Sequence, residues 1–535
     1  MAEPTTGTGE MQRSLTLTGI TVNAMALIAP GAFLWTTFQI QASQKGGTTA
    51  LDMWTGLLCA LVLALLTAYS YSELARIYPD AGTGSSYYFA EAALLDHDSP
   101  GMRKFARTAK LSVGWISHLY YWLYPAIMVG FMGILFGYIY TSLFHHTLTY
   151  IPQAVGCVAL GLICGYIAFR GISGSTMTSI LINVIQITCL TLVSILFIAY
   201  RLGHGHEAFA FANAGAVVIP HSFIHVIYQS TIAILLLVGF ESVTALGAEA
   251  IRPEKDIKSG ILLSLIIQGG LCYLFEYFSA NFAVSSVTTN NPALKGVPTG
   301  AAALKGFASA GLDPAPIGTM VNNVAQSDFH AGTTVSLIVA ATVLIALLGT
   351  TLACLNTGVR VTYAMAKDKE MPGILGLLHG KFATPHGGIL VLTILSCLIG
   401  VYCATPYNVD NITQITLASN TGTFLVYGMT CVIALVAFAQ RHDKHVLKHR
   451  VIPGFGAFMN LAMLFGVVYL AITAGGAGSK DAYKALGIVV LWIVVGFIWV
   501  AVNPNKGHAK QVTGDRGAPG TRTPAAVESS APVSA

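Results

Sequence analysis

Apolar stretches long enough to cross a lipid bilayer recur along this chain from residue 15 to residue 503. A membrane-crossing helix needs about 20 predominantly apolar residues. Reading on that length gives spans at 15–42, 51–76, 112–143, 151–169, 175–200, 223–250, 260–284, 332–366, 386–404, 411–438, 453–475 and 484–503, twelve in all. Lipid offers no water to backbone N–H and C=O groups, so each segment has to satisfy its own, and helices do this. The expected fold class is therefore an all-α integral membrane protein. Charged residues make up only 10% of the 535, against 54% hydrophobic, whereas a soluble domain carries roughly a quarter charged. That balance excludes a soluble enzyme, a disordered protein and a nucleic-acid binder. The polar segment 1–14 runs directly into a span-length stretch with no small-residue cleavage site, so no cleaved signal peptide is expected.

The placement of Lys and Arg orients the twelve spans. With residues 1–14 as a cytoplasmic tail, 22 of the 28 Lys and Arg fall in inside segments and 6 outside. This is the bias expected of a correctly threaded membrane protein with both termini cytoplasmic, of the bacterial or organellar inner-membrane type. Between the spans, 285–331 is expected to form a long outer loop of Gly, Pro, Asn and Ala, and 504–535 a disordered cytoplasmic tail. The nine cysteines all lie in apolar stretches and form no CxxC pair, so neither a metal site nor a redox site is expected. The chain has no GxxxxGK[ST], HExxH or GxSxG pattern, which argues against ATP-driven transport, against an enzyme and against a bound cofactor.

Two spans are interrupted. The first reads NAMALIAPGAFLW, with Ala29-Pro30-Gly31 at its middle, and the sixth reads ILLLVGFESVTALGAEAIRPEKDI, with Gly239 beside the mid-span carboxylate Glu241. Proline removes a helical donor and clashes with the preceding turn, and glycine lowers the cost of leaving helical geometry. Spans one and six hold corresponding places in two antiparallel halves, as in an inverted repeat of five plus five spans. The transporter domain, 15–503, then divides into a first repeat at 15–200, a second at 223–438 and two further helices at 453–503. A helix broken at mid-membrane presents N–H groups to an anion and free carbonyls to an ammonium group or a cation. A proline kink with a packing glycine is the alternative reading.

Four stretches carry a resemblance: APGAF at 29–33, YSELARIYPDAGTGSSYYF at 71–89, VGFESVTALGAEAIRPEKDI at 238–257 and LNTGVRVTYAMAKDKEMPGILGLLHGKFATP at 355–385. In this order and spacing the chain resembles the amino acid–polyamine–organocation (APC) transporter superfamily, which has the LeuT-type fold. The resemblance implies secondary active transport of amino acids or amines by alternating access, with protons or by exchange; sodium is the other coupling ion to consider. It places a substrate site on Leu27, Ala29, Pro30, Gly31 and Ala32 at the first break and on Leu235, Val238, Gly239 and Phe240 at the second. The N–H groups of Gly31 and Ala32 would face a carboxylate, and the carbonyls of Leu27, Leu235 and Val238 an amine. Pro30 has no N–H where relatives commonly have a Gly-Ser/Thr-Gly break. Leu235 stands where some relatives carry an aromatic gate, and Cys189 where some proton-coupled members carry a lysine.

Ionisable groups inside membrane spans are functional candidates by default. Glu241 either carries charge or a proton in the transport cycle or pins the local loop. Glu276 either contacts a substrate amine or hydrogen-bonds another helix. Glu73, Arg76 and Arg360 read as inner-gate or structural ion pairs, and His118 and His225 as satisfied histidines. The tyrosines of YYWLYP (120–125) line a substrate path or pack as aromatics. The expected function is a permease for a small amino acid or related amine, inward with protons. The competing readings are an exchanger of amines, polyamines or γ-aminobutyrate-like molecules, and a transport-inactive sensor of the same fold.

Overall fold

The computed structural model describes residues 15–28, 32–79, 84–171, 176–204, 215–246, 250–287, 310–311, 313–380, 382, 384–404, 409–441 and 445–502. Among these, ten helices are long and apolar enough to cross a membrane. In chain order the principal helices are α1 (Leu17–Leu27), α2 (Ala32–Ser43), α3 (Met53–Ile77), α4 (Ser86–Leu95) and α5 (Ala106–Phe144). They continue with α6 (Tyr150–Arg170), α7 (Thr176–His204), α8 (Phe223–Ala233) and α9 (Pro253–Ala280). The last six are α10 (Pro316–Phe329), α11 (Gly332–Lys367), α12 (His386–Cys403), α13 (Asp410–Ala439), α14 (Ile452–Thr473) and α15 (Gly476–Val502). The spanning helices are α3, α5, α6, α7, α9 and α11 through α15. The protein is thus a multi-pass, all-helical membrane protein.

The two expected spans missing from those ten are the interrupted ones. Stretch 15–42 yields α1 and α2 as separate short helices, and Ala29, Pro30 and Gly31 lie outside the described residues. Stretch 223–250 yields α8, which tightens into a 3₁₀ turn at Ile234–Leu236. After Leu237–Gly239 a second 3₁₀ run covers Phe240–Leu246.

Helix ends follow local chemistry. Thr16 accepts from Gly19 N–H at the start of α1, and prolines occupy the first turns of α9, α10 and α14, where a missing N–H costs nothing. Tertiary packing rests on close approach, because lipid tails are as apolar as the side chains and give helices little hydrophobic reason to associate. On α6, a Cβ at Gly161 would lie 2.7 Å from Cys397 Sγ, and one at Gly165 2.4 Å from Thr393 Cγ2. These two positions let α6 seat against α12. The long helix α5 packs on α4, α6, α11, α12 and α13, which makes it the scaffold from which the site is held.

One expectation is corrected. Segment 285–331 is not a loop throughout: Pro316–Phe329 is α10, packed on α2, α7 and α11. Pro316 starts it, the Asp313 carboxylate accepts from Ala315 N–H at 2.8 Å, and Ile317, Met320, Val321 and Val324 form its buried face. Gly318 seats against the Trp35 ring. The Gly/Pro/Asn composition of the whole segment masked a short amphipathic period at its end. Burial raises the Asp313 carboxyl above the usual range, opposed by bonds from Thr319 and Ala315. Residues 288–309, the N-terminal tail and 503–535 lie outside the described residues.

Candidate functional site

The sixth stretch leaves α-helical geometry after Ala233, and at Gly239 its backbone takes φ +118°, a region that L side chains rarely adopt. A Cβ there would lie 2.8 Å from Leu27 Cβ and 3.1 Å from the Leu27 carbonyl carbon. Gly239 therefore both permits the turn and lets it lie flush on the C-terminus of α1. This contact joins two of the expected site elements, Leu27 and the Leu235–Phe240 segment.

Glu241 is fully buried just beyond that turn. Its Oε2 accepts from Tyr427 OH at 2.7 Å and from Gly239 N–H at 3.0 Å. Its Oε1 accepts from Tyr120 OH at 3.2 Å and Tyr121 OH at 3.4 Å. Four donors converge on one side chain. A carboxylate accepts all four, whereas a protonated carboxyl would have to turn one tyrosine into an acceptor. Phe240 packs against the rings of Tyr427 and Tyr71 at 5.2 and 6.1 Å between centroids. Tyr71 OH in turn accepts from Ser86 Oγ and Thr430 Oγ1.

The free carbonyls of this segment also have a partner. Tyr124 OH lies 3.0 Å from Leu235 O and 3.3 Å from Val238 O. The YYWLYP tyrosines thus act through their hydroxyls: Tyr120 and Tyr121 hold the acid and Tyr124 faces the carbonyls. From the middle of α1 to the residue after its end, carbonyls are met from three other helices. Asn183 Nδ2 donates to Val22 O at 3.3 Å, Thr350 Oγ1 to Ala26 O at 3.0 Å and Tyr273 OH to Ile28 O at 3.2 Å. Oriented to satisfy both ends of its amide, Gln268 Nε2 donates to Ile28 O at 2.6 Å and Met25 O at 3.0 Å. Gln268 and Tyr273 both belong to a π-helical run, Ile266–Tyr273, within α9. Such wide turns recur at functional sites.

The remaining sequence candidates sit elsewhere. Ala29, Pro30 and Gly31 lie outside the described residues, and Ala32 opens α2. Glu276 on α9 is fully buried, and neither carboxyl oxygen has a hydrogen-bond partner among the described residues. The interhelical hydrogen bond read for it from sequence is therefore not present there. Glu73 pairs with Arg76 Nε at 2.9 Å as expected, and also with Lys258 Nζ at 2.6 Å and His449 Nε2 at 3.4 Å. Arg360 is half-buried on α11. His118 is satisfied at both ring nitrogens, by Gly114 O at 2.6 Å and Thr362 Oγ1 at 3.0 Å. His225 lies 3.5 Å from the buried Asp52 carboxylate, which also takes His221 N–H at 2.7 Å.

Sequence reasoning missed one cluster outright. Lys110, counted above only as a cytoplasmic charge, is buried on α5 between Glu91 (2.7 Å) and Asp368 (2.6 Å). Tyr87 OH donates to Asp368 at 2.9 Å, and burial with the Asp368 charge pushes the Tyr87 and Tyr88 hydroxyls well above the usual range. Glu91, Lys110 and Asp368 come from three separate segments, so no local spacing announces them. Tyr427 was missed for the same reason.

The chain matches the family described as amino acid permease over residues 19–511. It is 24% identical over 513 residues, 93% of this chain and 95% of the relative, to the low-affinity putrescine importer PlaP of Escherichia coli (strain K12). It is 23% identical over 515 residues, 92% of this chain and 93% of the relative, to the branched-chain amino acid permease BcaP of Bacillus subtilis (strain 168). A methylthioribose transporter of the same organism is 24% identical over 407 residues, 74% of each chain.

Proposed function

The chain belongs to the amino acid permease family, and from that premise we propose that it is a secondary active transporter carrying amino acids or related amines inward by alternating access, coupled to protons. The observation that carries this reading is the flush contact of Gly239 with Leu27, beside a buried Glu241 that gathers four donors. The ten spanning helices together with the two interrupted stretches support a twelve-helix, LeuT-type architecture of five plus five spans and two more, with stretches one and six broken at mid-membrane. The bacterial relatives and the Lys/Arg bias support an inner-membrane location with both termini cytoplasmic.

In this reading the substrate lies between the two breaks, among Leu27, Ala29–Ala32 and Leu235–Phe240. Its carboxylate takes N–H groups of Gly31 and Ala32, and its amine takes carbonyls of Leu27, Leu235 and Val238, displacing the Tyr124 hydroxyl from the last two. Glu241 ties the sixth stretch to α5 and α13, the side on which Tyr120, Tyr121 and Tyr427 stand. A proton arriving at Glu241 inverts one of those bonds and loosens the tie, which is a means of coupling protonation to rocking. Glu276, a buried acid with no hydrogen-bond partner among the described residues, is a second candidate for the proton. The Glu73 cluster and Arg360 serve the inner gate.

A second reading, transport or exchange of amines without an α-carboxylate, is favoured by Pro30, which offers the anion no N–H, and by the relative named for putrescine. Each hydrogen bond to a charged partner contributes about 1.5–3 kcal/mol, so a missing donor weakens the preference for the carboxylate measurably. The test is uptake of a labelled substrate into proteoliposomes, with amino acids and their decarboxylated amines as competitors. Both sets are expected to compete. If removing the carboxylate abolishes competition while removing the amine does not, the anion is the principal handle and the second reading is wrong. Uptake driven by an imposed pH gradient supports proton coupling; uptake driven only by sodium, or only by preloaded amine, replaces it. A purified chain with no flux for any of them is a sensor.

A further inference from the structure

On the lysine- and arginine-rich side of the molecule, α4, α5, α13 and α14 enclose a groove of about 680 Å³ whose lining side chains are all apolar. Small residues, among them Ala93, Ala109 and Gly428, line it together with long ones such as Met429, Phe458 and Leu461. Phe458 and Leu461 are 61% and 51% exposed, so the groove opens to the surroundings of the helix bundle and not toward Glu241. In a bilayer those surroundings are hydrocarbon. No polar side chain lines the groove to hold water there, and an ordered water needs two or more polar partners.

The mouth of the groove is basic. Met102, which lines it, belongs to the short helix Pro100–Lys104, and its neighbours Arg103 and Lys104 are exposed. The turn before that helix is fixed in place: Arg103 Nε donates to His97 O at 2.6 Å, and Asp98 N–H donates to Gln440 Oε1 at the end of α13. The segment leading into α14, the helix that supplies Ala457, Phe458, Leu461 and Leu464 to the groove, exposes Lys448 and Arg450. Asp96 and Asp98 are also exposed on this rim, leaving the four basic groups in excess.

We propose that this groove is a binding site for an anionic phospholipid, with an acyl chain in the groove and the phosphate held at Arg103 and Lys104. Basic groups at this depth attract anionic headgroups, and the turn at 97–104 carries two of them next to Met102, which lines the apolar slot. The site lies on the back of the site helices. The stripe Leu425, Met429, Val432 and Val436 of α13 faces the groove, while Tyr427 of the same helix reaches Glu241. The bound chain therefore packs against the helix that holds the buried acid.

Native mass spectrometry of the delipidated full-length protein, incubated with phosphatidylglycerol or phosphatidylcholine of matched chains, tests this. Phosphatidylglycerol is expected to be retained about tenfold more than phosphatidylcholine, the size of effect that one or two basic residues exert on an anionic lipid. Arg103→Glu with Lys104→Glu should erase the preference. Ala457→Trp, which fills the groove, should cut retention of phosphatidylglycerol; Leu461→Trp, at the exposed rim, substitutes for it if thermal unfolding shows that Ala457→Trp does not fold. Equal retention of the two lipids by the unaltered protein overturns the proposal, and so does undiminished retention by a folded groove-filling variant. A shift in the monomer–dimer distribution of that variant, with lipid retention unchanged, would assign the groove to a second copy of the chain instead.

Discussion

At the scale of single residues, Glu241 is the side chain on which the proposed cycle turns. It is buried, and Tyr120, Tyr121, Tyr427 and the Gly239 N–H all donate to its carboxylate. Glu241→Gln keeps the shape but sets an NH₂ group against at least one of those donors. Flux into proteoliposomes is expected to fall roughly ten- to hundredfold, the equivalent of one charge-assisted hydrogen bond, and to lose its dependence on pH, while expression stays near normal. Unchanged flux at every pH would remove Glu241 from the mechanism. Tyr427 makes the shortest of the four contacts, and Tyr427→Phe should reproduce part of the loss.

At the scale of elements, two junctions hold parts of the fold that are distant in sequence. Gly239 seats the turn after α8 on α1 at a positive φ. Gly239→Ala meets both a strained backbone region, costing of order 1–3 kcal/mol, and the Leu27 backbone. A lower melting temperature together with loss of uptake is expected; normal uptake would mean that the two stretches do not meet there during transport. The second junction is Lys110, which ties α5 to α4 and to the turn after α11 through Glu91 and Asp368. Lys110→Met leaves two carboxylates without their cation, and removing one partner of a buried ion pair costs about 3–5 kcal/mol. Thermal unfolding in detergent should show it as a large drop, with Lys110→Arg losing less. A change within error would show that the cluster is hydrated.

At the scale of the whole molecule, the testable quantity is threading. The Lys/Arg distribution predicts that the segment between stretch seven and α11 lies outside and the α13–α14 connection inside. Cysteines introduced as Gly300→Cys and His445→Cys should therefore respond differently to an impermeant thiol reagent applied from outside. Position 300 is expected to label and position 445 only after permeabilisation. The reverse pattern would invert the topology and, with it, the side on which Lys110, Glu73 and the proposed lipid groove lie.

What the amino-acid sequence determined by itself is what the backbone requires locally. Hydropathy over about 20 residues located the spanning helices, because a helix in lipid has to satisfy its own N–H and C=O groups. Gly239 beside Glu241 marked a backbone irregularity in the sixth stretch, where φ is positive, since only local conformational freedom was needed to see it. Composition misled at 316–329, where a short amphipathic helix hid within a Gly- and Pro-rich segment. The tertiary structure alone decided what meets what. Tyr120 and Tyr427 reach Glu241 across 121 and 186 residues of sequence, and a hydroxyl on an apolar helix carries no local sign of its partner. Lys110 reads as one more cytoplasmic charge until α4 and the turn after α11 close over it. Glu276 reads as an interhelical bond, yet neither of its carboxyl oxygens has a hydrogen-bond partner among the described residues. Backbone demands are periodic and short-ranged, whereas side-chain partnership depends on which helices lie side by side, and that is decided only when close-approaching small residues such as Gly161 and Gly165 have set the packing.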